Sequence, residues 1–516
     1  MSIPRVICAL MLVFCMIPGA YGAVDIQQRE VRDRRVDQAA LDSQRTAIKK
    51  LEALVVKAIG TRRVEGLMLR QAMIQGEAAA LEFRIAHGRA TQKGAEPDLL
   101  RYQVALKGQV LTLKRLIQLF PAGEGLDSAL FMRGKAYEEL KNRAEAKADF
   151  LRLVRTFPDS ARAGAAYMML AEFAITDEKH AEALEYLGRV EAMPEDAQFP
   201  FALYKSAWAH FNLMHFDEAM SYATKHVAYF DERNAKAPDA FSESDSSMRE
   251  HSLMDAVVFF AEGNRRKLSH FSVTRALEAF RRLDTQGTHL GRMGARFARL
   301  LRSHGHDEDL LEWKALWLAQ VSVVPESLEI VATVFEHQFN HRKFKEMIVT
   351  AQDFLALIST SDEGFSTHVA CVQARKLVSD TISGLRAMVL KNKKATELGS
   401  LIDPLVALHG VYEGIVGRGE GAQLSILRSR FTLAETLYEV EDRIGATERY
   451  RYVIEHWVAG ALDMSKADVE LRAIGARYEV LKSGWQIPAS MGVAHGVSVE
   501  SISKQVSPLL TEWVAW

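Results

Sequence analysis

Cysteine is nearly absent. Of three cysteines in 516 residues, Cys8 and Cys15 fall in the first few turns of sequence, and Cys371 stands alone in the rest. Without the first two, no intramolecular disulfide framework can form; Cys371 is left as a free thiol, an intermolecular link or a buried packing residue, the last being the simplest reading. Proline is also scarce, at 12 residues, and 48% of the chain is hydrophobic, so most of it is expected to fold. Neither sign of charge dominates: 65 basic and 66 acidic side chains give a net charge of −1. That excludes the strong positive field by which proteins hold nucleic acid. No HExxH, CxxC or lysine-bearing phosphate loop occurs, so the common motifs of metal and nucleotide chemistry are missing. After the first 22 residues no apolar run is long enough to span a bilayer core of about 30 Å.

What is present begins with residues 1–22, which read as an export signal. Arg5 supplies the positive start, residues 6–17 an apolar core, and Ala20 and Gly22 the small residues a signal peptidase requires, with cleavage after Gly22. The alternative is lipid attachment at Cys15, against which Phe14 is bulky where a processing site takes a small residue. Removing Arg5 with the leader would lower the net charge from −1 to −2. The expected compartment is the periplasm, with association to the outer membrane through a partner left open.

Residues 23–57 read as a charged arm running into an amphipathic helix, with dimerisation of that helix left open. Residues 58–230 then carry a helical pattern in which small residues recur where two helices must touch. Gly134, Ala171 and Ala207 fall on the first helix of three successive pairs, and Ala146, Ala183 and Ala219 on the second. A large side chain at such a crossing overpacks the hairpin, at about 1–3 kcal/mol. Pro158 and Pro194 are expected to end second helices, because proline lacks the amide hydrogen and clashes with the preceding turn. The steps from Ala146 to Ala183 to Ala219 are 37 and 36 residues. This is the pattern of tetratricopeptide repeats, whose unit is about 34 residues, and it predicts an all-α, right-handed helical solenoid. Residues 231–247 (DERNAKAPDAFSESDSS) read as a polar loop, and residues 248–481 as a degenerate second solenoid. Within it, residues 325–357 read as a weaker repeat-like hairpin and residues 425–457 as the last good repeat; Ile444 is expected on the buried stripe of the latter. Residues 482–516 read as a cap or docking tail ending in Trp513 and Trp516.

Two histidine groups invite a metal reading. The segment SHGHDED places His304 and His306 ahead of Asp307, Glu308 and Asp309, and His337 and His341 share a helical face. Gly305 and Asp307 equally describe a helix stop and a helix start, so an interhelical turn is the preferred account. The GRGEG at 417–421 reads as a turn. Neither a cofactor nor a catalytic residue is assigned.

The segments LKRLIQLFP, ALFMRGKAYEEL, FLRLVRTFPDS and ALYKSAWAHFNLMHFDEAM, with EGLMLRQAMIQGEAAALEFR before them and RFTLAETLYEVEDRIGATERYRYVIE later, resemble exported tetratricopeptide proteins. The relatives in view are envelope proteins of predatory and gliding delta-proteobacteria and, more distantly, periplasmic repeat proteins of outer-membrane assembly or the Tol–Pal system. One departure is Leu213-Met214-His215, which replaces the usual glycine-bearing turn. The resemblance implies a non-enzymatic periplasmic scaffold that binds envelope proteins or peptides, in gliding motility or envelope assembly. First-helix side chains would line its binding surface: Met132, Lys135, Glu138, Met168, Glu172, Lys205, Trp208 and Asn212, with the tail tryptophans as further anchors. In this reading the lysines and Asn212 anchor a partner's carboxylate or backbone. The alternatives are a self-assembling structural subunit and a cell-wall or glycan-binding protein.

Overall fold

A computed structural model describes residues 23–321, 325–360, 368–392, 398–417, 421–460 and 462–485. The export signal and the tail with Trp513 and Trp516 lie outside the described residues. Those residues form twenty α-helices and two short 3-10 helices, with no strand among them: an all-α, tetratricopeptide-like helical solenoid. Contacts divide the chain into two units, Met1–Tyr222 and Ala223–Trp516.

The first unit opens with α1 (Ala23–Lys57), α2 (Arg63–Lys93) and α3 (Leu100–Leu119). The charged arm expected ahead of α1 is helical from Ala23 onward. Leu41 of α1 packs against Ala78, Leu81 and Ile85 of α2, and an Arg84–Asp37 ion pair of 2.8 Å fastens the two helices. The helix α2 runs past Gly88 and stops at Gly94, whose φ of 59° closes the end in a left-handed cap.

The repeats follow as α4 (Leu126–Glu139), α5 (Arg143–Thr156), α6 (Ala163–Thr176), α7 (His180–Glu191), α8 (Phe199–Asn212) and α9 (Phe216–Lys236). The predicted small residues sit at the helix crossings. A Cβ added to Gly134 would fall 2.7 Å from the Phe150 ring, itself fully buried on α5. Ala146, Ala171, Ala183 and Ala219 are buried completely. Arg133 donates to both carboxylate oxygens of Asp149 at 2.8 and 2.6 Å, fastening α4 to α5 beside that crossing. Pro158 and Pro194 lie just past the ends of α5 and α7, as their chemistry requires.

The second unit takes in α9 from Ala223 onward and continues with α10 (Glu243–Arg265), α11 (Val273–Leu283), α12 (Leu290–His304), α13 (Asp307–Gln320), α14 (Pro325–Asn340), α15 (Phe344–Thr360), α16 (Val369–Lys391), α17 (Gly399–Val416), α18 (Ala422–Glu439), α19 (Arg443–Glu455) and α20 (Lys466–Trp485). Alternate helices α10, α12, α14 and α16 stack on one another, the neighbour relation of a repeat array. The expected loop at 231–247 is largely helical. Helix α9 extends to Lys236, and α10 starts after Ser242, whose hydroxyl and backbone exchange hydrogen bonds with Asp245 in a capping box. Only a short 3-10 turn, Pro238–Ala240, interrupts.

An aromatic core lies within the degenerate second solenoid. Phe260, Phe280, Phe297 and Trp313 meet edge to face at centroid distances of 5.0–6.0 Å. Trp317 completes this core above Gly294, where any added Cβ would collide with its indole ring. The two indole N–H groups donate to Gly294 O at 3.1 Å and Ser327 Oγ at 3.0 Å. Farther along, Ile444 is 64% exposed rather than part of the buried stripe; Ala446, Tyr450 and Val453 fill that core instead. Cys371 is fully buried in α16, and burial pushes its thiol pKa up.

Seven hairpin turns share one geometry. Lys141, Glu178, Met214, Lys267, Gly305, Arg342 and Glu441 all adopt φ between 56° and 72°, in the left-handed region. In each, the next residue's N–H closes back on the helix, as Asn142 does on Tyr137 O (2.8 Å) and His215 on His210 O (2.9 Å). Six of these seven positions lack the glycine that such a turn favours.

Candidate protein-binding face

Helices α4, α6 and α8 are the first helices of the three consecutive repeats, and their exposed side chains meet along one strip. Lys135 Nζ lies 3.9 Å from Met169 Sδ on α6 and 3.7 Å from Glu138 on its own helix. One helix farther, Glu172 of α6 pairs with Lys205 of α8 at 3.3 Å. Trp208 lies one turn beyond Lys205, half-buried, with its ring edge-on to Phe211 at 5.4 Å. Exposed Asn212 donates its side-chain amide to Trp208 O at 2.9 Å. The repeat step of the solenoid therefore brings Lys135, Glu138, Glu172, Lys205, Trp208 and Asn212 into one run.

One expectation is corrected here. Met168 is only 4% exposed and packs with Ala171, Leu187 and Val190, so it is core and offers nothing to a partner. The adjacent Met169, about 100° farther round the helix, is the methionine that meets Lys135. Lys135 and Lys205 already have Glu138 and Glu172 nearby, and Asn212 donates one amide hydrogen to its own helix, so a partner's carboxylate would share these cations with resident carboxylates. Met132 is partly buried against the core of the first unit and presents only part of its side chain. The sequence signal for Met169 was its position 34 residues after Lys135, about one repeat step.

The two histidine groups are neighbours in space. His337 of α14, 6% exposed, places Nε2 3.0 Å from Asp307 Oδ1, and Lys343 Nζ lies 3.1 Å from the other oxygen. Desolvation opposes ionisation of Asp307, but Lys343 and His337 outweigh it and hold its pKa below the usual carboxylate value. His306 Nδ1 is 2.9 Å from Asp309, and His341 Nδ1, just past the end of α14, is 2.8 Å from His337 O. Gly305 takes the left-handed turn and Asp307 opens α13, so the segment is an interhelical turn fastened by the Lys343–Asp307 ion pair. Among the described residues no group of three or more His, Cys, Asp or Glu has the geometry to hold a metal ion.

Comparison with known proteins agrees with this architecture at its most regular point. A tetratricopeptide-repeat family model matches residues 128–160, which are the α4–α5 hairpin. No curated protein matches the chain. Similar solved structures include the human IFIT1 dimer with m7Gppp-AAAA, at 13% identity over 79% of this chain and 92% of that one, with a TM-score of 0.20. Another is Cut9 with Hcn1 from an APC/C hetero-tetramer, at 13% identity over 77% of this chain and 94% of that one, with a TM-score of 0.28. Among the described residues no helix is long and apolar enough to cross a membrane. The chain is thus a helical-repeat module of the protein-interaction type, similar to tetratricopeptide-repeat proteins.

Proposed function

We propose that this protein is a non-enzymatic periplasmic adaptor that holds a partner of the bacterial cell envelope on the α4–α6–α8 face. The observation that carries the reading is the strip itself. Three consecutive first helices present cations, carboxylates and an aromatic ring in one row, linked across repeats by Lys135–Met169 and Glu172–Lys205. Paired charges beside a half-buried aromatic suit a peptide with an apolar anchor and alternating charge, because each partner group joins an existing pair instead of meeting bare charge. The export-signal pattern and the resemblance to exported repeat proteins support the compartment and a role in motility or envelope assembly.

The test is gentle cross-linking in the native envelope, followed by capture of the full chain and mass spectrometry, with Lys135→Glu and Lys205→Glu combined as the control. The adaptor reading expects envelope proteins that disappear in the control. Recovery of this chain alone, unchanged in the control, overturns it in favour of a self-assembling subunit, and retention on purified cell wall in place of protein capture favours the glycan-binding alternative.

A further inference from the structure

We infer that α3 is a membrane-surface helix, whose outer face docks the first unit on an anionic phospholipid bilayer. The helix, LRYQVALKGQVLTLKRLIQL, carries four cations and no carboxylate. Leu106, Leu113, Leu116 and Ile117 are among the residues it buries, which turns the opposite face outward. There Leu100, Val104 and Leu111 are 64, 61 and 51% exposed. Lys107, Lys114 and Arg115 are exposed as well. At a helical turn of about 100° per residue, these six side chains share an arc of about 100° over a length of about 22 Å.

Missing partners set this face apart from an ordinary charged surface. Among the described residues Arg101, Lys107, Lys114 and Arg115 form no ion pair. Helix α12 shows the usual arrangement. It too carries arginines and no carboxylate, but its neighbours supply the acids: Arg292 meets Glu250 of α10, and Arg299 and Arg302 meet Glu329 and Glu336 of α14, at 2.5–2.6 Å. Around α3 the acids are engaged elsewhere or lie beyond its ends. Glu139 of α4 accepts from the Tyr102 hydroxyl on the buried side, and Asp98 accepts from Leu100 N–H at 3.1 Å ahead of the first turn. The exposed face is thus cationic and apolar only, the composition of an interfacial amphipathic helix.

Charge decides the occupant. A second copy of α3 would bring four more cations against these four, so self-pairing through this face is opposed. An acidic peptide would need a carboxylate seated opposite Lys107, which stands between Val104 and Leu111 in the apolar row and would lose its water there. A bilayer surface meets both needs without a fixed register. Leucine and valine side chains enter the headgroup boundary, the lysine stems lie along them, and the charged heads reach lipid phosphates that remain hydrated.

The experiment places a photoreactive amino acid at Leu111 of the full chain and follows lipid adducts as vesicles are titrated in. This reads the α3 face itself, whatever else of the chain touches the vesicle. Adducts are expected with equal parts phosphatidylglycerol and phosphatidylcholine, to weaken as sodium chloride rises, and to be absent with phosphatidylcholine alone. Lys107→Gln, Lys114→Gln and Arg115→Gln combined should raise the half-saturating lipid concentration about a hundredfold, at about fivefold per cation. Leu100→Ser with Val104→Ser should raise it about tenfold with the melting temperature unchanged. Arg152→Gln, Arg155→Gln and Arg189→Gln remove the same charge from exposed positions on α5 and α7 and should leave it unchanged. Equal adducts with phosphatidylcholine alone, or an α3 triple variant no weaker than this control, would overturn the assignment. Capture of a protein and no lipid from position 111 in the native envelope would overturn it in favour of an acidic protein segment.

Discussion

Replacing Lys141, Glu178 and Met214 together by glycine should stabilise the first unit. Each holds φ of 59–63°, where an L-residue suffers contact between its Cβ and the following carbonyl, at about 1–2 kcal/mol. Glycine removes that contact but loses more freedom on folding, an offset of about 0.5–1 kcal/mol. All three residues are exposed, Met214 at 56%, so little packing is forfeited. The net gain is about 0.5–1 kcal/mol per site and roughly 2 kcal/mol for the triple variant, the sites lying in separate turns. The assay is urea unfolding of the full chain, with amide hydrogen exchange read on peptides from α4 to α8 to place the gain. Protection there should rise by about tenfold or more, since about 1.4 kcal/mol is a factor of ten. The mirror change, Gly305→Ala at φ 72°, should destabilise the second unit. A triple variant no more stable than the parent would refute the claim that these turns are held against local preference.

Other expectations follow from packing and charge. Gly134→Ala drives a methyl into the Phe150 ring and should cost about 1–3 kcal/mol; adding Phe150→Leu should recover part of that loss, whereas additive costs in a denaturation cycle would deny the contact. Arg249→Met strips the cation from Asp231 and from Asp284, whose side chain is fully buried, and should cost about 3–5 kcal/mol; a loss under 1 kcal/mol would deny that the pair is desolvated. Acid should weaken the second unit through His226 and His409, which burial holds at a pKa of about 4 against the ordinary 6.5, with Arg386 and Arg449 also opposing the charge on His409. Between those values the unfolded chain binds protons the folded chain refuses. Stability is therefore full above pH 6.5 and falls as the pH drops toward 4, by about 1.4 kcal/mol per pH unit for each histidine. The His226→Asn, His409→Asn double variant keeps a polar group near Ser252 and Ser429 and should melt with a shallower pH dependence between pH 7 and 5; an unchanged slope counts against the assignment.

The hairpins were legible where small and large residues alternate by contact need, as Gly134 does against Phe150, because a crossing leaves few choices of side chain. Residues 231–247 were misread because polarity was taken as a loop signal. Polar residues also make helix surfaces and caps, and the Ser242–Asp245 box starts a helix inside that stretch. The aromatic core around Trp313 escaped because it is built from α10 to α13, and no one helix carries its pattern. On the candidate face, the sequence placed Lys135, Lys205 and Trp208 on the correct helices but not their partners, since Glu172 lies 33 residues before Lys205. Met168 and Met169 show the limit of such reading. Adjacent positions on a helix point in different directions, and only packing decides which one is core.

The most direct measurement is photo-cross-linking from two positions of the full chain in the native envelope. One reporter replaces Asn212, exposed at the end of the α8 strip, and the other replaces Glu185, exposed on the second helix α7. The account predicts adducts with a different protein from position 212 and none from position 185. Adducts only between copies of this chain, or equal labelling from both positions, would contradict a dedicated binding face on α4, α6 and α8.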